Sequence, residues 1–527
     1  MKKIFYAALA VFASAVFMIY PQTKKSGYKT SELIINNGSE PDFLDPSKIQ
    51  SVPEQRIYLA LFEGLVSYDS KTCAPVPGVA ESWERRGKNN EILTFHLRKT
   101  TWSDGTPITA QTVIDSWLYY LAPSTAAEYA YMPAAVIKGA ADYNAGKTRA
   151  ETVGLRAVDD KTFEITLVGA VPYAEAMMAA FSFPILPMHV IQKYGNEWTK
   201  PEHFVGNGPF VLESWIPQEK ITVVPNEKYW NKKNVFLSRI TFLPIENLAT
   251  AYNAFKNHEI DWDTGVPLEK LGEIKFSKKC QTAPCNATYY YEFNINDPVL
   301  SDVRVRKALA KAIDKKQLVE KLLRGGQVVS DAFVPPMEGY KPATGNAFNV
   351  EEAKALLAEA GYPDGKGFPT MTLIYNTNEA HKKIAEYVQG QWKENLGIDV
   401  VLENLYWARF LQKRQSNDFQ IARAGWVGDL AEPANFLELC LSASGNNDGR
   451  YSSSDFDALL LQASEMPAGA ERDDVLRRAE EILITRDQAL LPVYYYVTHN
   501  LIDLDKWEGW YTNILDVHPY VGLKARY

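Results

Sequence analysis

The segment from residue 371 to 402 constrains the fold more than any other part of this 527-residue sequence. Alternating apolar residues predict a strand over Met371–Tyr375, and a helical pattern follows from Glu379 to Asn395. Gly397, a residue type that commonly ends helices, precedes a second predicted strand, Ile398–Leu402. Because a crossover helix of this length joins parallel strands with a right-handed connection, the segment predicts a parallel βαβ unit.

The rest of the chain also alternates between strand and helix patterns, which is typical of α/β proteins. A single hydrophobic core stops growing near about 250–300 residues, so the length indicates several domains. The other predicted elements are strands at Leu33–Asn36, Ile92–Leu97 and Phe419–Trp426, a hairpin of Gly154–Val158 with Phe163–Leu167, and helices at Glu54–Phe62, from the Thr109 cap to Leu121, at Val303–Ile313 after Asp302, and at 454–489 with an interruption near Pro467.

Composition excludes several classes of protein. Hydrophobic residues make up 46% of the chain and charged residues 23%, which excludes an intrinsically disordered protein and a polytopic membrane protein. Acidic residues outnumber basic ones by 64 to 56, for a net charge of -8. Nucleic-acid-binding proteins usually carry a basic surplus, so we expect no nucleic-acid partner.

The N-terminus has the pattern of an export signal. Lys2 and Lys3 precede a run of 17 mostly apolar residues from Ile4 to Tyr20, and Ala13-Ser14-Ala15 offers a small-x-small cleavage site. The alternative is a retained N-terminal anchor, because the run is just long enough for a short membrane span. No cysteine precedes Cys73, so a lipid-modified N-terminal cysteine is not expected. We therefore predict a periplasmic protein.

Four cysteines in an exported chain allow three pairings. Cys280 and Cys285 are separated by four residues, and we take them as a candidate disulfide; the pairing of Cys73 and Cys440 stays open. The seven histidines do not fall at metal-ligand spacing with each other or with cysteine, so we expect no metal and no cofactor.

The sequence contains none of the common catalytic signatures. G-x-S-x-G, H-E-x-x-H and G-x-x-x-x-G-K-[ST] are all missing. Gly206-Asn207-Gly208 is too short for a dinucleotide-binding loop, and strand-like sequence follows it. We therefore expect a protein without catalytic residues, with an exported hydrolase as the remote alternative.

The most informative local segment is Phe419–Asp429, in which Arg423 lies among small and apolar residues. In a strand, Ile421, Arg423 and Gly425 share one face while Trp426 points to the other. Arginine binds a carboxylate in a two-pronged fork. Asp429, six residues after Arg423, can hold an ammonium group. Six extended residues span at most about 20 Å, which suits the two ends of a short peptide. The alternative is that Arg423 and Asp429 pair with each other, or lie at a solvated strand end.

Taken together, motifs along the chain resemble those of the periplasmic oligopeptide-binding proteins of ABC importers, solute-binding protein family 5. They occur in the family's order over nearly the whole mature chain. The matching motifs are Asn36–Glu40, Leu61–Leu65, Pro77–Trp83, Thr94–Lys99, Trp102–Pro107, Asn207-Gly208, Tyr229–Asn231, Tyr289–Glu292, Asp302–Arg306, Ala422–Trp426 and Pro492–Tyr496.

The resemblance implies a type II, cluster C binding protein with two lobes, a hinge and an added third region. Lobe I is expected at 28–62, 187–285 and 497–527, the added region at 63–186, and lobe II at 286–496. The implied ligand is a peptide of about three to five residues, enclosed between the lobes of a monomer. The implied partners are the transmembrane subunits of an ABC permease. The same class of receptor with a murein peptide, a signalling peptide or another small solute is the alternative.

The resemblance also assigns site residues. Asp429 matches the acid that holds the peptide α-ammonium group, whereas Arg423 and His381 match the groups that meet the α-carboxylate. Val52 lies in the segment whose backbone pairs with the peptide. Gly425 is a candidate on a different ground, because a small residue beside Arg423 lets another backbone approach closely. The matching aromatic walls of the peptide cavity are Tyr129, Trp407, Trp426 and Tyr496.

The sequence departs from the family pattern in three respects. Gln50 replaces a glutamate that can meet basic ligand side chains, which predicts a weaker preference for basic peptides. Leu323 replaces a lysine that can reach the carboxylate of a shorter peptide, although Arg324 is adjacent. Ala287 and Val427 replace the family's disulfide partners. We therefore expect poor dipeptide binding, while both end anchors are kept.

Overall fold

The computed structural model describes residues 31–526, except for residues 42, 50, 275 and 338. For residues 268, 269, 379, 407 and 408 it describes the backbone element alone. The predicted signal or anchor at 1–20, and Gln50 at the predicted site, therefore lie outside the described residues. Within the described part, no helix is both long and apolar enough to cross a membrane.

The strands, in chain order, are β1 (Glu32–Asn36), β2 (Val66–Tyr68), β3 (Pro75–Pro77), β4 (Ala80–Arg86), β5 (Ile92–Leu97), β6 (Leu155–Ala157), β7 (Thr162–Thr166), β8 (Phe210–Ile216), β9 (Lys220–Pro225), β10 (Arg239–Leu243), β11 (Trp262–Asp263), β12 (Cys280–Phe293), β13 (Val328–Val329), β14 (Met371–Asn376), β15 (Val400–Leu405), β16 (Ile421–Val427), β17 (Leu490–Ile502), β18 (Trp507–Glu508) and β19 (Lys524–Ala525).

The α-helices are α1 (Val52–Leu61), α2 (Ala110–Leu121), α3 (Tyr131–Val136), α4 (Ala140–Asn144), α5 (Ala174–Met177), α6 (Met188–Tyr194), α7 (Leu248–Lys256), α8 (Leu268–Ile274), α9 (Val303–Lys311), α10 (Lys315–Gln317), α11 (Val350–Glu359), α12 (Glu379–Leu396), α13 (Trp407–Gln415), α14 (Ala434–Leu437), α15 (Ser454–Ser464) and α16 (Ala470–Glu481). Thr109 and Asp302 cap α2 and α9, as the sequence predicts.

Eleven of these strands form one sheet, in the order β15-β14-β16-β12-β17-β11-β1-β10-β9-β8, with β13 paired to β17 beside this path. The long antiparallel strands β12 and β17 connect its two halves. On one side β12 pairs with β16, and on the other side the end of β17 pairs with β11. The sheet thus passes from one lobe to the other through two crossing strands. Strands β4, β5, β6 and β7 form a separate sheet in the added region.

The ladder between the two crossing strands is irregular where the lobes meet. Pro284 pairs with Val497 and Thr288 pairs with Tyr495, and the register shifts between these two pairs. An irregularity of this kind bends a strand and interrupts its hydrogen bonds. The predicted lobe boundaries, at 285/286 and 496/497, fall at this irregularity. The boundaries themselves stay a prediction.

The predicted βαβ unit is confirmed. β14 and β15 pair in parallel, α12 lies between them in the chain, and Gly397 ends α12 with φ at 71°. A left-handed backbone of this kind favours glycine, which has no Cβ to clash. The second strand begins at Val400 rather than at Ile398, because the residues after Gly397 form the connection.

Lobe II buries both faces of its sheet. Tyr289 and Tyr291 belong to a hydrophobic cluster with α9 and α12, whereas Tyr290 belongs to a cluster with α14, α15 and α16. This alternation follows from the two-residue period of a strand. A further cluster joins lobe I to the added region and contains the fully buried Trp102 and Trp117.

The predicted disulfide between Cys280 and Cys285 is wrong. All four cysteines are free thiols, and these two lie on the same strand, β12. Five residues of extended strand separate Cα atoms by about 16 Å, whereas a disulfide needs about 4.4–6.8 Å. Close spacing in sequence suggested a tight loop, but the strand keeps these residues apart.

Candidate functional site

Arg423 lies in the middle of β16, which runs antiparallel to β12 and parallel to β14. Its Nη2 donates to the hydroxyl of Tyr496 at 2.8 Å, and its Nη1 donates to Asn376 Oδ1 at 3.4 Å. Its guanidinium carbon lies 4.9 Å from the ring centre of Tyr289. Asn376 is the last residue of β14, so the arginine head lies at the carboxyl end of a parallel strand, where ligands bind in α/β sheets.

A group of packed tyrosines, called the tyrosine stack below, supports this arginine; Tyr289 and Tyr494 stack face to face, and Tyr496 meets Tyr494 edge-on. The ring centres of Tyr289 and Tyr494 are 4.8 Å apart, and those of Tyr494 and Tyr496 are 5.2 Å apart. The sequence predicted Tyr496 as a wall but missed Tyr289 and Tyr494. Both occur in the tyrosine-rich motifs that carry the family resemblance, and the motifs could have revealed them.

Gly425 makes room for the arginine head. A Cβ built at this position would lie 3.1 Å from Arg423 Nη2 and 3.3 Å from the Tyr496 hydroxyl. Both distances are tighter than ordinary contacts, so a larger residue would displace the arginine or the tyrosine. The predicted shared face of Ile421, Arg423 and Gly425 is confirmed: Ile421 packs in the cluster of Tyr289, and Trp426 packs against the opposite cluster.

His381 lies in the first turn of α12, whose N-terminus Asn378 caps by accepting from the backbone of Ala380 and His381. Its ring centre is 5.6 Å from that of Tyr289, beside Arg423. Burial and the charge of Arg423 lower the pKa of His381 to about 3, so the imidazole is neutral near pH 7. A neutral imidazole can still donate one hydrogen bond to a carboxylate.

Two nitrogens at this end of the site are buried without a partner. Within the described residues, neither Nδ1 of His381 nor Nε of Arg423 has a hydrogen-bond partner. A buried polar atom without a partner costs roughly 1–3 kcal/mol. An acceptor that pairs with both nitrogens would remove this cost, and a carboxylate has two oxygens for the purpose.

The low pKa of His381 predicts a measurable pH effect. An unfolded histidine titrates near pH 6.5. Between about pH 6.5 and 3, the unfolded state therefore binds a proton that the folded state does not bind. His381 therefore makes the free energy of unfolding fall as pH drops from about 6.5 towards 3. Its ring signal, identified in NMR spectra by its loss in His381→Gln, should show a neutral ring at pH 5. A midpoint near pH 6.5 for that signal would contradict the prediction.

Asp429 follows the end of β16 and is half-buried. Its backbone N–H and Trp426 Nε1 both donate to Asn435 Oδ1 at 3.2 Å, which fixes the strand end against α14. Burial alone raises the pKa of the Asp429 carboxyl. No lysine, arginine or histidine in the described part of the chain lies within 4 Å of this carboxylate. The alternative in which Asp429 pairs with Arg423 is therefore wrong.

Aromatic residues of the added region face Asp429. Burial, followed by the charge of Asp429, raises the pKa of the Tyr129 hydroxyl. Tyr129 packs edge-to-face on Phe181, with ring centres 4.9 Å apart, and against Tyr131 at 5.6 Å. Asp429 and Tyr131 also line one cavity of about 140 Å³.

The remaining predicted residues occupy different positions. Val52 is exposed at the first position of α1, where the backbone N–H has no partner within the helix. Trp407 begins α13, and Gln50 is outside the described residues. Arg324 is exposed and its Nε donates to the carbonyl of Lys321 at 2.8 Å, so its role stays a prediction. Ala287 and Val427 lie directly opposite each other on β12 and β16.

Comparison with known proteins shows which family has this architecture. Residues 74–448 match the model of bacterial extracellular solute-binding proteins, family 5 Middle. The chain is 39% identical over 492 residues to the periplasmic oligopeptide-binding protein OppA of Salmonella typhimurium, covering 91% of this chain and 89% of OppA.

Solved structures agree with this match. The unliganded open form of the periplasmic murein tripeptide-binding protein MppA is 34% identical, with a TM-score of 0.83, over 94% of this chain and 98% of MppA. Haemophilus influenzae OppA in complex with RPPGFSPFR is 32% identical, with a TM-score of 0.73, over 94% and 99%. The two-lobe α/β fold and these matches together show that the chain belongs to the family 5 bacterial extracellular solute-binding proteins.

Proposed function

We propose that this chain is an extracytoplasmic receptor that encloses short oligopeptides between its two lobes and delivers them to an ABC-type peptide permease. The proposal rests on one observation: Arg423 and Asp429 carry opposite charges, and neither has an oppositely charged partner in the described residues. A peptide with free termini supplies an ammonium at one end and a carboxylate at the other. Such a zwitterion compensates both charges at once.

The arrangement suits a ligand whose side chains vary. Fixed charges hold the two termini, and backbone hydrogen bonds can hold the middle of the peptide. Side chains of the peptide can contact the protein through bridging water molecules, and a water-mediated hydrogen bond is nearly as favourable as a direct one. A tripeptide of about 25 heavy atoms, at roughly 0.3 kcal/mol per atom, would gain about 7–8 kcal/mol, which corresponds to micromolar affinity.

The proposed location is the periplasm, with residues 1–20 as an export signal or anchor. The S. typhimurium relative is named periplasmic, which supports this location. We also propose that the bound peptide is released intact, because family relatives are binding proteins and the sequence carries no catalytic signature. The H. influenzae complex holds a nine-residue peptide, so the expected length of about three to five residues is a proposal for this chain alone.

The proposed function predicts closure on the ligand. Only strands β12 and β17 need to bend for the lobes to approach, and their ladder is irregular at that point. Adding Ala-Ala-Ala should reduce the radius of gyration seen by small-angle scattering. It should also change tryptophan fluorescence, because the half-buried Trp426 should lose water. N-acetyl-Ala-Ala-Ala-amide, which lacks both charges, serves as the control ligand. An unchanged scattering curve at saturating tripeptide would remove enclosure as the mechanism.

A murein peptide is the second candidate ligand. The TM-score with the murein tripeptide-binding relative supports it, because that structure is among the most similar solved ones. Native mass spectrometry of the purified protein distinguishes the two ligands. A mixture of masses that fit ordinary peptides would support the oligopeptide. A single mass that fits a peptide with a diamino acid would support the murein peptide.

A further inference from the structure

The cavity beside Asp429 lies between two parts of the molecule that are distant in sequence. Helices α3 and α5 of the added region form one side, and the segment after β16 forms the other. Its volume of about 140 Å³ is well below the roughly 300 Å³ at which pockets for whole small molecules begin. A cavity of this size can hold one side chain of a ligand, but not several residues.

The walls of the cavity suit a long side chain with a polar end. Met132 and Met177 are buried and supply an apolar surface, and Tyr131 and Tyr173 supply two aromatic rings. The aliphatic stem of a lysine or arginine packs well on such surfaces. The ring faces of tyrosine also attract a cation.

The charges around the cavity are unbalanced. Three carboxylates line it, those of Asp429, Glu432 and Glu438. Glu432 pairs with Arg472 at 2.8 Å, and both side chains are nearly buried. Glu438 accepts a hydrogen bond from the Tyr173 hydroxyl at 3.4 Å, and no cation in the described residues lies within 4 Å of it. Two carboxyl groups, those of Asp429 and Glu438, therefore line the cavity without a paired cation. Burial, followed by the charge of Glu432, raises the pKa of the Glu438 carboxyl to about 7, and a cation placed beside this group would favour its ionised form.

A peptide with an uncharged first side chain supplies a cation to only one of these two carboxyl groups. In the bound peptide, the α-ammonium group and the first side chain are bonded to the same Cα. Because Asp429 lines the cavity, a peptide held there by its ammonium group has its first side chain next to the cavity. Buried charges are usually paired, because an unpaired one loses its hydration without compensation. We infer that this cavity receives the first side chain of the bound peptide, and that Glu438 selects lysine or arginine there.

This inference rests on the proposed function and makes it more specific. It also changes what the departure at Gln50 predicts. Loss of the family's glutamate predicts a weaker preference for basic side chains in general. The acidic cavity restores that preference at the first residue alone. A lysine at the second or third residue gains nothing from Glu438.

The test is a calorimetric titration with four tripeptides: Lys-Ala-Ala, norleucine-Ala-Ala, Ala-Lys-Ala and Ala-Ala-Ala. Norleucine has the length of the lysine stem without the charge. Wild-type protein should bind Lys-Ala-Ala at least tenfold tighter than norleucine-Ala-Ala. In Glu438→Gln this ratio of affinities should fall to about twofold or less. The control variant is Glu465→Gln, which changes an exposed acid of the same lobe, and its ratio should equal that of the wild type.

A second measurement needs no variant. Acetylating the side chain of the lysine in Lys-Ala-Ala removes its charge, and wild-type protein should then bind that peptide at least tenfold more weakly. Equal binding of Lys-Ala-Ala and norleucine-Ala-Ala to wild-type protein would overturn the inference, as would a ratio that Glu438→Gln leaves intact. Tighter binding of norleucine-Ala-Ala would identify an apolar pocket instead. If Ala-Ala-Ala and all the others fail to bind, the proposed function itself is wrong.

Discussion

Replacing Asp429 by alanine is expected to weaken the binding of Ala-Ala-Ala at least a hundredfold. The half-buried carboxylate has no cation within 4 Å in the described residues, so the α-ammonium group of the peptide is its proposed partner. Removing one partner of a buried ion pair typically costs about 3–5 kcal/mol, because the other charge stays buried and unpaired. Each 1.4 kcal/mol is a factor of ten in the dissociation constant. Isothermal titration calorimetry measures the change directly.

Two controls separate the charge from the shape of the site. Asp429→Asn keeps the size of the side chain and should lose nearly as much affinity as Asp429→Ala. Acetylation of the peptide N-terminus should weaken binding to the wild type and have little further effect on either variant. Glu465→Gln should bind as the wild type does. Equal affinity of the wild type for acetylated and free tripeptides would show that Asp429 is not the ammonium anchor.

Local sequence patterns predicted those elements that depend on local physics. Met371–Tyr375 and the helix that ends before Gly397 follow from periodicity and from the conformational freedom of glycine. The two faces of β16 follow from the two-residue period of a strand, which is why Arg423 and Trp426 were placed correctly. These inferences need only neighbouring residues.

The failures concern distances across the fold. Cys280 and Cys285 are close in sequence, but whether they can bond depends on the extended strand in which they lie. The Glu438 cavity forms because α3 and α5 meet a segment about 300 residues later in the chain, and no local pattern shows such a contact. The tyrosine stack around Tyr289 likewise joins two strands that are distant in sequence.

Replacing Arg423 by methionine is expected to weaken tripeptide binding by one to two orders of magnitude. Methionine keeps much of the length of the side chain and can still pack on Tyr289, but it cannot bind a carboxylate. Hydrogen bonds to charged groups contribute about 1.5–3 kcal/mol each, and the neutral His381 and Tyr496 remain as partial substitutes. The loss should therefore be smaller than the loss of at least a hundredfold that is expected for Asp429→Ala.

A thermodynamic cycle with a modified peptide tests whether the lost interaction is with the carboxylate. The four affinities come from wild type and Arg423→Met, each titrated with Ala-Ala-Ala and with Ala-Ala-Ala-amide. Contacting groups show a coupling energy of about 0.5–3 kcal/mol in such cycles, whereas independent groups give additive losses. We expect amidation to weaken binding to the wild type at least tenfold and to have little effect on Arg423→Met. Strictly additive losses would mean that Arg423 supports the tyrosine stack and that another group meets the carboxylate. In that case His381→Gln and Arg324→Met, titrated with the same two peptides, would identify the group by their own coupling.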